Sequence, residues 1–196
     1  PQGPQLGDGR VQVSIETEAL VGPDGSEVHF NRGTAGSQEY RELTGGKAPW
    51  DRSLGDTAWQ WLSNGLEEAL AAFIRRAEGP GWALKACLYE CHYIPILEVL
   101  AAVQKQGVDV KIVMDSKDPY YSKQKRVIVH TGPHVMNTAA MQLAGLQDHC
   151  IRRTKATNSV SHNKFIILQH NGEPKAVWTG STNLTAGAFF GQWNVG

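Results

Sequence analysis

His162 and Lys164 stand two residues apart in the apolar run "SHNKFIIL". In a strand, residues i and i+2 project from the same face, so an imidazole and an ammonium share one side while Phe165 and Ile167 take the other. Two groups that can both carry positive charge repel unless an anion lies between them. A phosphate satisfies both: lysine neutralises its oxygens and a neutral histidine can attack phosphorus. An exposed strand face with two solvated polar residues is the plainer reading of the pair alone. A second strand, "KAVWTG", follows and ends in Gly180-Ser181-Thr182-Asn183. Glycine permits close backbone approach to a ligand, and short donor side chains in such a turn can form an anion-binding concavity. The same residues also make ordinary turns and helix caps.

Together these features resemble the phospholipase D superfamily signature, the His-Lys-Asp motif: His162-x-Lys164, an apolar strand, a turn, a second strand and Gly180-Ser181-x-Asn183. The upstream run "WALKACLYE…IPILEVLAAVQKQGVDVKIVMD" resembles the first strand, helix and second strand of that fold. The resemblance implies a phosphodiesterase or phosphatidyltransferase that uses no metal and no other cofactor. His162 is then the nucleophile that forms a phosphohistidine, Lys164 binds the equatorial phosphate oxygens, and Ser181 and Asn183 are further phosphate ligands. Gly180 and Gln169 are supporting positions. Gln169 stands where the family has its acidic residue, five positions after the lysine, and supplies no charge.

The chemistry of the family takes two such motifs, one histidine attacking and the other protonating the leaving oxygen. No other histidine here is followed two residues later by lysine. The final residues "GQWNVG" read as the opening of a strand, so the expectation is a fragment whose partner motif lies in a missing half. A homodimer placing two copies of His162 face to face is the other solution. A phosphate-binding scaffold without turnover is the alternative function. For substrate, a nucleic acid is slightly favoured over a phospholipid, because Arg152, Arg153 and Lys155 precede the motif strand.

The elements that must position these residues read as α/β. In "VQVSIETEALVGPDGSEVHFNR" (residues 11–32), alternation around Gly-Pro-Asp-Gly-Ser predicts a β-hairpin. Residues 33–56 lack periodicity and read as an irregular connection, held to the body by Trp50, Trp59 and Trp61. Asn64 and Glu67 have capping-box spacing, and Leu66, Leu70, Phe73, Ile74 and Ala77 form a helical stripe. A β-α-β unit occupies residues 82–114, with Ile96, Leu97, Leu100 and Val103 inward on its helix. Strands at 125–130 and 149–154, with a helix near 136–145 between them, continue the alternation. The motif strand and its successor join across Asn171-Gly172, a turn signal. The expected class is a mixed, largely parallel sheet flanked by helices, with residues 1–60 an N-terminal extension and 61–196 the phospholipase D-like domain.

Composition agrees. The 196 residues are 41% hydrophobic and carry no net charge. Residues 1–104 hold 8 Lys/Arg against 14 Asp/Glu, and residues 105–175 hold 11 against 5, so the basic half contains the motif. No run of about 18 apolar residues is present, which argues against a membrane-spanning helix. Three cysteines at uneven spacing argue against a disulfide framework and for a reducing, cytoplasmic setting. Cys87, Cys91 and His92 are read as packing residues rather than metal ligands.

Overall fold

The computed structural model describes residues 20–33, 38–49, 51–118, 120–129, 132–154 and 161–196. The hairpin expected over 11–32 survives as β1 (Leu20–Val21) and β2 (Glu27–Val28), antiparallel with Leu20 opposite Val28. Its first half, like Trp50 and Lys155, lies outside the described residues.

The connection read as irregular contains a helix, α1 (Gln38–Thr44). Tyr40 is the reason: its ring is buried against Trp61, and its hydroxyl donates to the carbonyl of Lys47. Next come α2 (Thr57–Ser63) and α3 (Leu66–Arg75). The capping box expected from Asn64 and Glu67 does not form: the N-cap of α3 is Gly65, and the first-turn N–H of Glu67 is met from Ser63, two residues before that cap. Asn64 is the left-handed residue that ends α2 (φ 49°). The Ser63 hydroxyl accepts the Glu67 N–H at 3.0 Å and donates to Glu68 at 2.8 Å. The stripe itself holds, with Leu66, Leu70, Phe73, Ile74 and Ala77 all buried.

The β-α-β unit forms as expected: β3 (Trp82–Leu88), α4 (Ile94–Lys105) and β4 (Asp109–Asp115), the strands parallel with Ala83 opposite Asp109. The four residues expected inward on α4 are buried. One expectation fails here. Of the strand expected over 125–130, residues 125–129 do not join the main sheet and His130 lies outside the described residues; β5 (Tyr120–Ser122) and β6 (Val127–Val129) form a separate hairpin. The local alternation was that of a two-stranded ribbon, with Tyr121 and Ile128 both exposed. Helix α5 (Gly132–Leu143) follows, then β7 (Cys150–Arg153), parallel to β4. The motif strand β8 (Lys164–His170) lies antiparallel to β3, and β9 (Glu173–Thr179) antiparallel to β8. Asn171 (φ 51°) and Gly172 (φ 82°) make the tight turn between them, where both residues need the left-handed region. A short helix, α6 (Ala186–Phe190), follows the Gly-Ser turn, with Thr185 capping it.

The main sheet therefore has the order β7-β4-β3-β8-β9 and is mixed, with two parallel and two antiparallel pairings. Leu84, Ala86, Leu88, Val110, Ile112, Met114, Ile166 and Leu168 alternate onto one face and share a single core with the apolar sides of the helices. Residues 29–31 run alongside 194–196. His29 and Gly196 exchange backbone hydrogen bonds at 2.9 and 3.0 Å. Asn31, 2% exposed, donates to the carbonyls of Ala188, Phe189 and Gln192 at 2.7–2.8 Å and accepts the Asn194 N–H at 2.8 Å.

Candidate active site

Strand direction decides where the site forms. Because β8 runs antiparallel to β3, its first residue, Lys164, sits opposite Leu88, the last of β3. The residues following β3, those preceding β8 and those following β9 therefore meet at one end of the sheet. That end is also the carboxyl end of the parallel strands, where open α/β sheets bind ligands.

Five side chains converge there: Lys164, His162, Tyr89, Asn183 and Glu90. Lys164 is buried at the start of β8, its Nζ 3.2 Å from the His162 carbonyl and 5.7 Å from the centre of the Tyr89 ring. His162 precedes the strand, is exposed, and packs its imidazole 5.0 Å from the same ring. Asn183 donates an amide N–H to Glu90 at 2.9 Å, while its buried Oδ1 has no hydrogen-bond partner. Burial holds the Lys164 ammonium below the ordinary lysine range, and the Glu90 carboxylate pulls it part of the way back. Burial, then Glu90 and Asp115, raise the Tyr89 phenol.

Ser181 is placed differently. Its hydroxyl donates to Asn194 at 2.9 Å and accepts the Val195 N–H at 3.1 Å, so it is engaged with the segment 194–196. Gly180 is required by the same contact, since a Cβ there would collide with the Val195 carbonyl. Gln169 is not brought to the site. It pairs with Ala83 at the opposite end of β3, five residues from Lys164, which at about 3.3 Å per residue is roughly 17 Å away.

Beneath the site, Asn137 of α5 is wholly buried and ties two strand ends together. Its amide donates to the carbonyls of Tyr89 (2.8 Å) and Asp115 (3.0 Å), and its oxygen accepts the Cys91 N–H (2.9 Å). Asp115, 4% exposed, in turn accepts from Arg153 and from the Ser161 N–H, both at 3.3 Å, which anchors the chain one residue before His162. Tyr89, Glu90, Asp115 and Asn137 were not singled out from the sequence. For Asn137 a signal existed: with Pro133, Ala140 and Met141 it occupies the buried face of an amphipathic helix, where an amide has to find partners.

The strand ends of this α/β sheet thus carry a histidine, a buried lysine and an asparagine together. A family model described as "Cardiolipin synthase, PLD-like domain" matches residues 74–196. The chain belongs to this phospholipase D-like family, whose activity is of the phosphodiesterase type. Among solved structures, it is similar to a phospholipase D family member, Nuc from Salmonella typhimurium, at 23% identity and a TM-score of 0.47, over 66% of this chain and 71% of that one. It is also similar to NucT from Helicobacter pylori, at 18% identity and a TM-score of 0.42, over 68% and 76%. No relative is found among the curated proteins. Among the described residues, no helix is long and apolar enough to cross a membrane.

Proposed function

We propose that this chain supplies one half of a metal-independent phosphodiesterase site that works through a phosphohistidine. The His162 imidazole attacks phosphorus in line with the leaving oxygen, so a P–N bond forms as a P–O bond breaks. Lys164 neutralises the equatorial oxygens and the Asn183 amide donates to them, stabilising charge that builds in the transition state; the Ser181 hydroxyl joins by exchanging Asn194 for a phosphate oxygen. A second His-Lys pair, from elsewhere in a longer chain or from a homodimer partner, protonates the leaving oxygen. It then takes the proton of the water or alcohol that breaks the P–N bond. A nucleic-acid backbone is favoured over a phospholipid by the basic half of the chain, with Arg152 exposed on the edge strand β7.

The observation that supports this reading most is the buried Lys164 ammonium beside Tyr89, with Glu90 and Asn183 completing the group. A buried cation needs an anion, and Glu90 already bonds Asn183, so a phosphate is the natural further partner. The scaffold alternative rests on Gln169 in place of a carboxylate, a position remote from Lys164, and on the single His-x-Lys motif. The test is release of p-nitrophenol from bis(p-nitrophenyl) phosphate with EDTA present, by the full-length chain or a verified dimer. Turnover that survives chelation, disappears in His162→Ala and leaves an acid-labile phosphate on the denatured wild type is expected. Turnover indifferent to His162→Ala overturns the mechanism, and absence of turnover in either form overturns the enzyme.

A further inference from the structure

A cleft of about 380 Å³ opens between α2, α3, α6 and the start of α4, and none of His162, Lys164, Ser181 or Asn183 lines it. Its volume falls within the range of small-ligand sites. Three of its walls are aromatic: Trp59, Tyr93 and Phe190. Trp59 meets Phe190 edge-on at 4.8 Å, and Phe190 meets Tyr93 in the same manner at 5.8 Å. The polar walls are three carboxylates, Asp56, Glu67 and Glu68, and the Gln60 amide; no basic residue lines the cleft.

Acidic residues in the first turn of α3 have an ordinary explanation in the helix dipole, and Glu68 is accounted for by Ser63. Glu67 is not so easily dismissed. It is half-buried and accepts only the Tyr93 hydroxyl, at 2.9 Å. Among the described residues no salt bridge involves Asp56, Glu67 or Glu68. Burial raises the Glu67 carboxyl, the Tyr93 hydrogen bond offsets part of that rise, and Glu68 adds to it. An inorganic ion does not suit it, since among the described residues no group of three or more acidic, histidine or cysteine side chains is close enough to hold a metal. A weakly hydrated organic cation suits it well. Aromatic faces attract such a cation through their quadrupoles, and a desolvated carboxylate supplies the net charge.

We propose that this cleft is a binding site for a quaternary ammonium group, seated against Trp59, Tyr93 and Phe190 with Glu67 as counter-ion. The site is separate from the phosphodiester chemistry and does not depend on it. Choline chloride is the probe, titrated at constant ionic strength, with the Trp59 indole N–H followed by NMR and assigned through Trp59→Phe. The expected result is a saturable shift with a Kd of about 1 mM. Its neutral carbon analogue, 3,3-dimethyl-1-butanol, fills the same space without charge and is expected to bind at least about tenfold more weakly.

Glu67→Gln keeps an acceptor for Tyr93, so it folds with an unchanged circular dichroism spectrum while weakening choline binding at least about fivefold. Glycerophosphocholine in place of choline separates the sources: a matching shift assigns a lipid-type headgroup, and its absence assigns a free amine. Equal binding of the neutral analogue, undiminished binding by Glu67→Gln, or no saturable shift up to about 50 mM choline overturns the proposal. Trp59→Phe and Glu67→Gln leave p-nitrophenol release unchanged, so the two readings fail separately.

Discussion

Asn137→Ala tests whether the site is held from below. The wild-type side chain makes three buried hydrogen bonds, to Tyr89, Asp115 and Cys91, at 2.8, 3.0 and 2.9 Å. Each is worth about 1 kcal/mol net, and a buried group left without its partner costs about 1–3 kcal/mol. Truncation is thus expected to remove about 3–5 kcal/mol from a domain whose total stability is about 5–15 kcal/mol. In a urea titration followed by circular dichroism, with a slope of about 2 kcal/mol/M, the midpoint falls by roughly 2 M.

Asn137→Asp sharpens the argument. It preserves shape and the acceptor for Cys91, but sets a carboxylate against two carbonyls that had been receiving hydrogen bonds. It should be at least as damaging as alanine at neutral pH. A loss below about 1 kcal/mol for alanine, or an aspartate variant as stable as wild type, would refute the claim that this amide joins the two strand ends.

Three further outcomes follow from the geometry. Glu90 raises the Lys164 pKa against the burial that lowers it; Glu90→Gln therefore lets it fall further, and the alkaline limb of the kcat/KM profile moves to lower pH, whereas an unmoved limb would disconnect the two groups. The depressed Lys164 pKa means the unfolded state holds its proton at higher pH than the folded one, so this lysine's penalty is fully present below the folded pKa and relieved as pH rises towards about 10.4; the stability gap between Lys164→Met and wild type should narrow over that window in paired denaturant titrations. Gln169→Asp restores the carboxylate expected of the family, but at roughly 17 Å from Lys164 it should change turnover less than about twofold, and a large gain would mean the strand-end geometry omits something catalytic.

The β-α-β unit and the β8–β9 pair were legible because burial there follows simple periods and Asn171-Gly172 marks its turn. His162, Lys164 and Asn183 were legible by type and spacing, and antiparallel registration of β8 on β3 is what unites them with Tyr89 and Glu90. What stayed hidden depends on partners distant in sequence. Asn137 bonds backbone atoms 22 to 48 residues away, which no local pattern encodes. Tyr40 turns a featureless connection into a helix because Trp61 offers it a surface. The ribbon at 120–129 alternates like a sheet strand, and only its exposure on both faces distinguishes it. Ser63 rather than Asn64 meets the first-turn N–H of α3 because Asn64 already serves as the left-handed end of α2.

Asn31 has a consequence for the order of events during synthesis. Its partners at Ala188 to Asn194 lie 157–163 residues further along, an interval of roughly 8–30 s at about 5–20 residues per second. Throughout that time a polar side chain destined for the interior has nothing to close upon. Val195, which pairs with Phe30, also accepts the Ser181 N–H and crowds Gly180. The clasp, the Gly-Ser turn and the part of the core built on Leu184, Phe189 and Phe190 are therefore all completed together, at the end of this stretch of chain.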